Sequence, residues 1–102
     1  MLELQLHPEV EAEIEDWATI LAEHSDRAPI QFLAEVRSAF QRICEHPTHA
    51  HFIYRNYRRL NLIRFSQAII YREHSNAVYV IAMMHEKRHP DYWKYRIADK
   101  AG

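Results

Sequence analysis

The stretch MMHEKRHPDYWKYR, residues 83–96, gathers many of the side chains in this sequence that could do chemistry. Its two histidines can exchange protons near neutral pH, and its four lysine and arginine side chains can bind phosphate or carboxylate groups. A proline and three aromatic rings accompany them, and such residues also close the corner of a fold. The stretch therefore predicts an active site, a contact with a nucleic acid, or a structural corner.

A second group of cations lies earlier, in the segment YRNYRRLNLIRF, residues 54–65. Guanidinium groups bind phosphate oxygens and tyrosine rings stack on bases, so this mixture suits RNA, or an enzyme that handles nucleic acid, as a target. Side chains alternate between the two faces of a strand, which puts Arg58 and Arg64 opposite to Arg55 and Arg59. We therefore expect only part of this group to meet one partner.

The sequence contains only weak indications of a metal site or of a catalytic nucleophile. The segment HPTHAH offers His46, His49 and His51, but it has no cysteine partner and no H-E-x-x-H pattern, so we expect no metal site. Cys44 falls in an apolar helical stripe and is predicted to be buried. The chain has 1 Gly, no Gly-rich phosphate loop and no G-x-S-x-G motif, and we expect no cofactor.

Length and composition predict a single domain. The chain of 102 residues is 48 % hydrophobic and 26 % charged, so one domain over residues 1–102 can bury a modest core. No apolar run reaches about eighteen residues, and the acidic N-terminus lacks a signal-peptide pattern, so we expect a cytoplasmic protein without membrane contact.

Charge is divided unequally along the chain. Residues 1–50 carry ten acidic and three basic side chains, a net charge of −7, and residues 51–102 carry four acidic and ten basic ones, a net charge of +6. The second half could present a positive face to a phosphate backbone or to an acidic partner, or the two halves could simply complement each other.

The first half has the periodicity of one strand and two helices. LELQL, residues 2–6, alternates apolar and polar residues and predicts a short strand. A helix of about residues 9–24 follows, because Pro8 suits a first turn and an apolar residue recurs every three or four positions. A second helix begins near Ser25 or Asp26 and ends before Pro47, which makes an antiparallel hairpin. Its predicted buried stripe is Ile30, Leu33, Val36, Phe40 and Ile43.

After Pro47 the pattern is that of strands. HFIYRNYRRLNLIRF, QAIIYREH and AVYVIAMMH are rich in β-branched and aromatic residues, and HSNA between the last two predicts a turn with Asn76 left-handed. The run 77–84 is almost wholly apolar, which indicates a central strand covered on both faces. We therefore predict an α+β domain of order β-α-α-β-β-β, an antiparallel sheet packed on the helical hairpin, with a short helix within 90–97.

The order of these elements and the last stretch together resemble the RelE/ParE toxin superfamily of bacterial toxin-antitoxin systems. The likeness runs through HPEVEAEIEDWA and RFSQAIIYRE to VIAMMHEKRHPDYWKYR, which looks like the family's His-x-x-Arg-x-Pro-x-Tyr-Trp signature. It covers nearly the whole chain, and it implies the same β-α-α-β-β-β fold and an antitoxin partner.

Two activities are known in that superfamily, and they imply different roles for the same residues. RelE-type toxins cut mRNA on the ribosome, whereas ParE-type toxins inhibit DNA gyrase without known nuclease chemistry. The arginine that RelE-type enzymes carry before the IIY strand core falls at Ala68 here, and their C-terminal tyrosine matches only loosely with Tyr92 or Tyr95. Losing a phosphate-stabilising arginine costs about 2–4 kcal/mol of transition-state stabilisation, which favours the ParE-like branch.

The resemblance therefore implies a ParE-like, plasmid-stabilisation type of toxin that inhibits DNA gyrase without catalysis and is neutralised by an antitoxin covering the hairpin and sheet edge. One alternative is a ribosome-dependent mRNA endoribonuclease using Arg88 and Tyr92 or Tyr95, with Arg58 and Arg64 assisting; another is an inactive binding module. The predicted target-binding residues are Arg58, Arg64, His85, Lys87, Arg88, Tyr92, Lys94 and Arg96. A structural ion pair is the alternative for Arg88, and a half-buried ring bonded to a backbone carbonyl is the alternative for His85.

Overall fold

The structure, a computed structural model, describes residues 1–99. These residues form five strands and three helices. In chain order the elements are β1 (Glu3–Leu6), α1 (Pro8–Ala22), α2 (Ala28–Glu45), β2 (His51–Tyr54), β3 (Tyr57–Asn61), β4 (Gln67–His74), β5 (Ala77–His85) and α3 (Tyr95–Asp99). None of the described helices is long and apolar enough to cross a membrane.

The strands form one mixed sheet in the order β1-β5-β4-β3-β2. The predicted α+β class and the helical hairpin are confirmed, but two details of the sheet differ. β1 pairs parallel with β5, because the hairpin carries the chain across one face of the sheet before β5 returns beside β1. The predicted strand over residues 51–65 is two antiparallel strands, β2 and β3, because the chain reverses at Arg55, whose φ is 50°.

Side-chain hydrogen bonds support the start of each long helix. His7 Nδ1 accepts a hydrogen bond from the Glu9 N–H at 3.1 Å, and Pro8 occupies the first turn of α1, where a missing N–H costs nothing. Ser25 Oγ accepts from the N–H groups of Arg27 and Ala28, at 3.1 Å and 3.3 Å, just before α2.

The buried face of α2 differs from the prediction at its first turns. Ile30 is 70 % exposed and Leu33 is 43 % exposed, so both lie outside the core. The buried apolar residues of α2 are Phe32, Val36, Ala39, Ile43 and Cys44. Val36 and Ile43 are buried as predicted, and the observed stripe adds Phe32 and Ala39, which also follow helical spacing. Ala39 is small and contributes little to the apolar pattern beside the larger Leu33 and Phe40. Burial of Cys44 is confirmed.

Strand β5 is covered on both faces, as its apolar run predicted. On one side Val78, Val80 and Met83 pack with residues of both long helices. On the other side Ile81 and Met84 pack with Trp93, from the segment after β5. The turn between β4 and β5 is present, but the left-handed residue is Ser75, with φ of 54°, and not Asn76. The C-terminal helix starts at Tyr95, later than the predicted 90–97, because turns occupy 91–94.

Candidate functional site

The second half of β5 loses its neighbour on one edge. β1 ends at Leu6, which pairs with Val80, and α1 begins two residues later. At the same place β5 bulges, because Val80 and Ala82 pair with the adjacent residues Tyr71 and Ile70 and leave Ile81 as an extra residue. Backbone groups of β5 beyond this point need hydrogen-bond partners other than a strand.

Three side chains supply those partners, and we call them the corner cluster: Glu13, Tyr92 and Arg96. Arg96 Nη1 donates to the Ile81 carbonyl at 3.0 Å, and Glu13 Oε1 accepts from the Met83 N–H at 3.0 Å. The Arg96 guanidinium also donates to both carboxylate oxygens of Glu13, at 2.9 Å and 3.0 Å. The Tyr92 hydroxyl donates to Glu13 Oε2 at 2.6 Å. The cluster therefore caps the free edge of the central strand.

Burial and hydrogen bonding together determine the protonation states of Tyr92 and Arg96 in the corner cluster. Burial, followed by the hydrogen bond to Glu13, raises the pKa of Tyr92, so its phenol keeps its proton at neutral pH. For Arg96, which is 3 % exposed, burial opposes the charge but the hydrogen bonds to Glu13 raise its pKa, so it stays charged. The cluster contains a fixed cation and a phenol that is a poor base.

A shallow groove of ≈ 200 Å³ lies beside the corner cluster, and its lining includes the predicted target-binding residues His85, Arg88 and Tyr92. His85 stacks on Trp17 with ring centroids 4.6 Å apart, and its Nδ1 accepts from the Lys87 N–H at 3.0 Å. The Arg88 guanidinium lies 4.0 Å over the Tyr92 ring. Glu13 and Asp16 of α1 line the same groove.

The groove has the wrong charge balance for phosphodiester chemistry. Two carboxylates face it, and among the described residues of its lining only Arg88 carries a fixed positive charge. The Tyr92 hydroxyl already donates to Glu13, and the Tyr95 hydroxyl donates to Glu9. The arrangement can bind a partner through a stacked His–Trp pair and an exposed arginine, but it offers no pair of free cations for a phosphate.

The two predicted arginines of the earlier group lie elsewhere. Arg58 Nη1 donates to the carbonyls of Thr48 and Ala50, at 3.2 Å and 2.8 Å, and its Nε lies 3.6 Å from Glu73. Arg64 has an exposed side chain, and it lines a groove of ≈ 420 Å³ between α2 and the β3–β4 turn. Neither arginine meets the groove beside the corner cluster.

The remaining predicted cations divide between surface and interior. Lys87 and Arg88 are exposed, and Lys94 lies over the Tyr54 ring and 2.8 Å from Asp91. Arg96 is a correction, because a buried guanidinium bound to Glu13 and Ile81 cannot meet a target directly. Arg58 is a second correction for the same reason: its side chain, 12 % exposed, holds the 48–50 loop.

Two buried or half-buried carboxylates were missed by the sequence analysis. Glu13 is one of several acidic residues of α1, but it lies three residues after Val10 and four before Trp17, next to the apolar stripe. Glu35 is 8 % exposed and accepts from the backbone N–H groups of Ile63 and Arg64. No pattern in the sequence marks Glu35, because its partners are backbone groups of a turn 28 residues away.

Metal ligation has no candidate cluster in residues 1–99, where no three His, Cys, Asp or Glu side chains lie close enough to hold an ion. His46 and His49 stack with parallel rings 4.7 Å apart.

Comparison with known proteins identifies the fold. No family model matches the chain, and no curated protein sequence matches it. Among solved structures, the chain is similar to one described as the chromosomal ParDE TA system from P. aeruginosa, with a TM-score of 0.69 over 83% of this chain and 96% of that chain, at 11% sequence identity. At this identity the likeness shows the fold alone. The chain has the ParE/RelE-like toxin fold, as the resemblance in its sequence implied.

Proposed function

We propose that this chain is the toxin of a type II toxin-antitoxin system, and that it acts in the ParE manner, by binding and inhibiting DNA gyrase in the cytoplasm. A cognate antitoxin neutralises it. The fold supports the first part of the proposal, since the similar solved structure is described as a ParDE TA system. The choice between gyrase and mRNA rests on the corner cluster.

The observation that carries the proposal is the engagement of Tyr92 and Arg96 by Glu13. A RelE-like nuclease would need a tyrosine free to exchange a proton and arginines free to hold the cleaved phosphate. Here the phenol donates to a carboxylate, its pKa is raised, and the Arg96 guanidinium is paired with that same carboxylate, which leaves Arg88 as the cation lining the groove. Two further acidic side chains, Glu9 and Asp16, lie close by and repel a phosphodiester.

Position 68 supports the same choice. Ala68 lies where a RelE-type enzyme carries a catalytic arginine, and it is fully buried, in register with Met84. Arg64, a candidate to replace that arginine, lies in the β3–β4 turn with its Nε 3.7 Å from Glu35. We therefore assign His85, Lys87, Arg88 and Lys94 to target contact, and Tyr92 to holding Arg88 and the corner cluster in place.

The antitoxin is proposed to cover the exposed apolar residues of the hairpin and the turn beside it. Ile20, Ile30, Leu33 and Ile63 are 42 %, 70 %, 43 % and 77 % exposed. Apolar side chains at this exposure on neighbouring elements are typical of a surface that a partner covers. A disordered antitoxin segment that folds on binding would bury them.

The test is induction of the chain without its antitoxin in a bacterial host, with labelled thymidine and methionine followed over the first minutes. We expect DNA synthesis to stop first, and purified protein to inhibit supercoiling by gyrase. Arg88→Ala should weaken inhibition, whereas Arg37→Ala, an exposed cation on α2, should not. Tyr92→Phe should keep most inhibition, because it removes only a hydroxyl that is not exposed to the target. Early arrest of translation, with mRNA cleavage abolished in Tyr92→Phe, would establish the nuclease instead.

A further inference from the structure

The cations of β3 and β4 fall on two faces of the sheet that differ in how their charge is balanced. Arg58 pairs with Tyr71, whose side chain packs in the core under the helices. Arg59 pairs with Ile70 and Arg72 pairs with Tyr79, and both of those partners lie in the core on the opposite side. The opposite side carries no long helix, and we call it the open face.

Arg58 and Arg64, on the helix side of the sheet, each have a carboxylate partner, whereas most of the cations on the open face do not. Arg58 lies 3.6 Å from Glu73 and Arg64 lies 3.7 Å from Glu35. On the open face only one of four cations has such a partner within residues 1–99, namely Lys94 with Asp91 at 2.8 Å. We call the four residues the open-face cations: Arg55, Arg59, Arg72 and Lys94.

Aromatic rings position three of the open-face cations. The Tyr54 ring lies 5.0 Å from the Arg55 guanidinium and 3.7 Å from the Lys94 ammonium. The Arg72 guanidinium lies 5.9 Å from the Tyr57 ring. Beneath them Trp93, fully buried, contacts both tyrosine rings. Ring faces attract cations without neutralising them, so the tyrosine rings hold Arg55 and Arg72 in place without a carboxylate partner, whereas Lys94 is also paired with Asp91.

The backbone at Arg55 also departs from what stability alone would select. Its φ of 50° is the left-handed region, which glycine enters freely and which a residue with a Cβ enters at a cost. An arginine at this tip of the β2–β3 turn therefore points to a use for its side chain.

Acidic residues lie on the other side of the molecule. α1 packs against the helix-side core and exposes Glu9, Glu11, Glu15, Asp16 and Glu23. The near-zero formal charge of −1 thus conceals a positive open face and a negative helix. Such a distribution orients an approaching acidic surface toward the open face.

We infer that the open-face cations form a docking surface for an acidic patch of a partner protein. The inference rests on the proposed function in that this partner would be the protein target of the toxin. Aromatic residues and arginine together are the composition of protein–protein hot spots. Single-stranded nucleic acid fits less well, because it needs free ring faces for stacking: Tyr57 and Trp93 are buried and the Tyr54 ring already holds two cations.

The test is a titration of the isotopically labelled chain, followed by amide chemical shifts, with a polyglutamate peptide of about 20 residues and separately with a single-stranded RNA of about 20 nucleotides. Polyglutamate should change the amide chemical shifts of residues around Tyr54, Arg55, Arg72 and Lys94. The variant Arg55→Glu/Arg72→Glu should raise its dissociation constant about tenfold or more. The control Arg27→Glu/Arg37→Glu reverses the same number of exposed charges, one just before α2 and one on it, and should change the constant by less than about threefold.

Arg55→Gly keeps the test independent of folding. Glycine fits φ of 50°, so this variant should be at least as stable as the parent while binding polyglutamate more weakly. Equal weakening by the two charge-reversal pairs, or tighter binding of the RNA at the same amides, would overturn the inference.

Binding to purified DNA gyrase separates this inference from the proposed function. Gyrase binding that is lost in Arg55→Glu/Arg72→Glu and kept in the control supports both. Gyrase binding that survives both pairs of changes overturns the docking surface and leaves the proposed function standing. Polyglutamate binding at the open face, without gyrase binding by the parent chain, supports the docking surface and removes gyrase as the target.

Discussion

Replacing Glu13 by glutamine should remove most of the support for the free edge of β5. The substitution keeps the shape of the side chain but removes the charge opposite Arg96 and one of the acceptors that serve Tyr92 and the Met83 N–H. An amide has one acceptor oxygen where the carboxylate has two, so at least one of these donors loses its partner. Arg96, 3 % exposed, then carries a charge without its bidentate partner.

The magnitude follows from the burial of the pair. Removing one partner of a buried ion pair costs about 3–5 kcal/mol. The Glu13 side chain is 15 % exposed, and Arg96 keeps the Ile81 carbonyl and the more distant Glu9, 3.6 Å from its Nε, so we expect the lower end, about 3 kcal/mol. Domains of this size have about 5–15 kcal/mol of stability in total, so the variant should still fold.

Urea unfolding followed by circular dichroism measures this loss. Glu15→Gln is the matched control, because it makes the same change on an exposed position of α1 and should alter stability by less than about 0.5 kcal/mol. Tyr92→Phe should fall between the two, at about 1–2 kcal/mol, because it removes one charge-assisted hydrogen bond from a half-buried site. A loss below about 1 kcal/mol in Glu13→Gln would refute the idea that the corner cluster holds the edge of β5.

Three further predictions concern titration, the β3–β4 turn and the core face of α2. Burial raises the pKa of Tyr57, Tyr71 and Tyr92 above 10, so as the pH rises the unfolded chain loses these protons before the folded chain does. The free energy of unfolding should therefore be at its full value below pH 10 and fall above it. Urea unfolding across pH 8 to 11 should show a smaller fall in Tyr92→Phe than in the parent chain. Glu35→Gln should cost about 1–3 kcal/mol and speed hydrogen exchange at the amides of Ile63 and Arg64, and unchanged exchange there would contradict the role of this carboxylate. Val36→Ala should cost about 2 kcal/mol in thermal or urea unfolding while Ile30→Ala changes little, and the reverse order would contradict the observed burial.

Sequence periodicity was sufficient to predict an element where its buried residues form a continuous run or a single stripe. β5 could be predicted because nine consecutive residues are almost all apolar, and the structure buries eight of them on two faces. α1 could be predicted because its large apolar residues, Trp17 among them, fall on a single helical stripe with no second stripe beside it. On α2 two stripes of similar apolar content run side by side, and only contact with the sheet decides between Leu33 and Phe32.

The candidate site was less predictable because its links connect distant parts of the chain. The sequence located Tyr92 and Arg96 in a chemically rich stretch, but it could not show that both bind a carboxylate about 80 positions earlier. That link depends on where β1 ends and β5 bulges, and neither event has a local sequence signal. Strand parity predicted that Arg58 and Arg59 lie on opposite faces, but it could not show which face has unpaired charges, because the carboxylates beside Arg58 and Arg64 come from residues distant in the sequence.

The stretch from His85 to Arg96 can therefore be explained in two parts. Tyr92, Trp93 and Arg96 have structural partners in this fold: a carboxylate, two tyrosine rings and the bulge carbonyl. Their presence follows from the fold and carries no information about cleavage of RNA. Lys87 and Arg88 are exposed and His85 is half-buried against Trp17, and none of the three bonds to the free edge of β5 through its side chain. A chain can keep the Tyr-Trp part of the signature for packing while its target changes, and the activity of this protein has to be sought in the exposed residues.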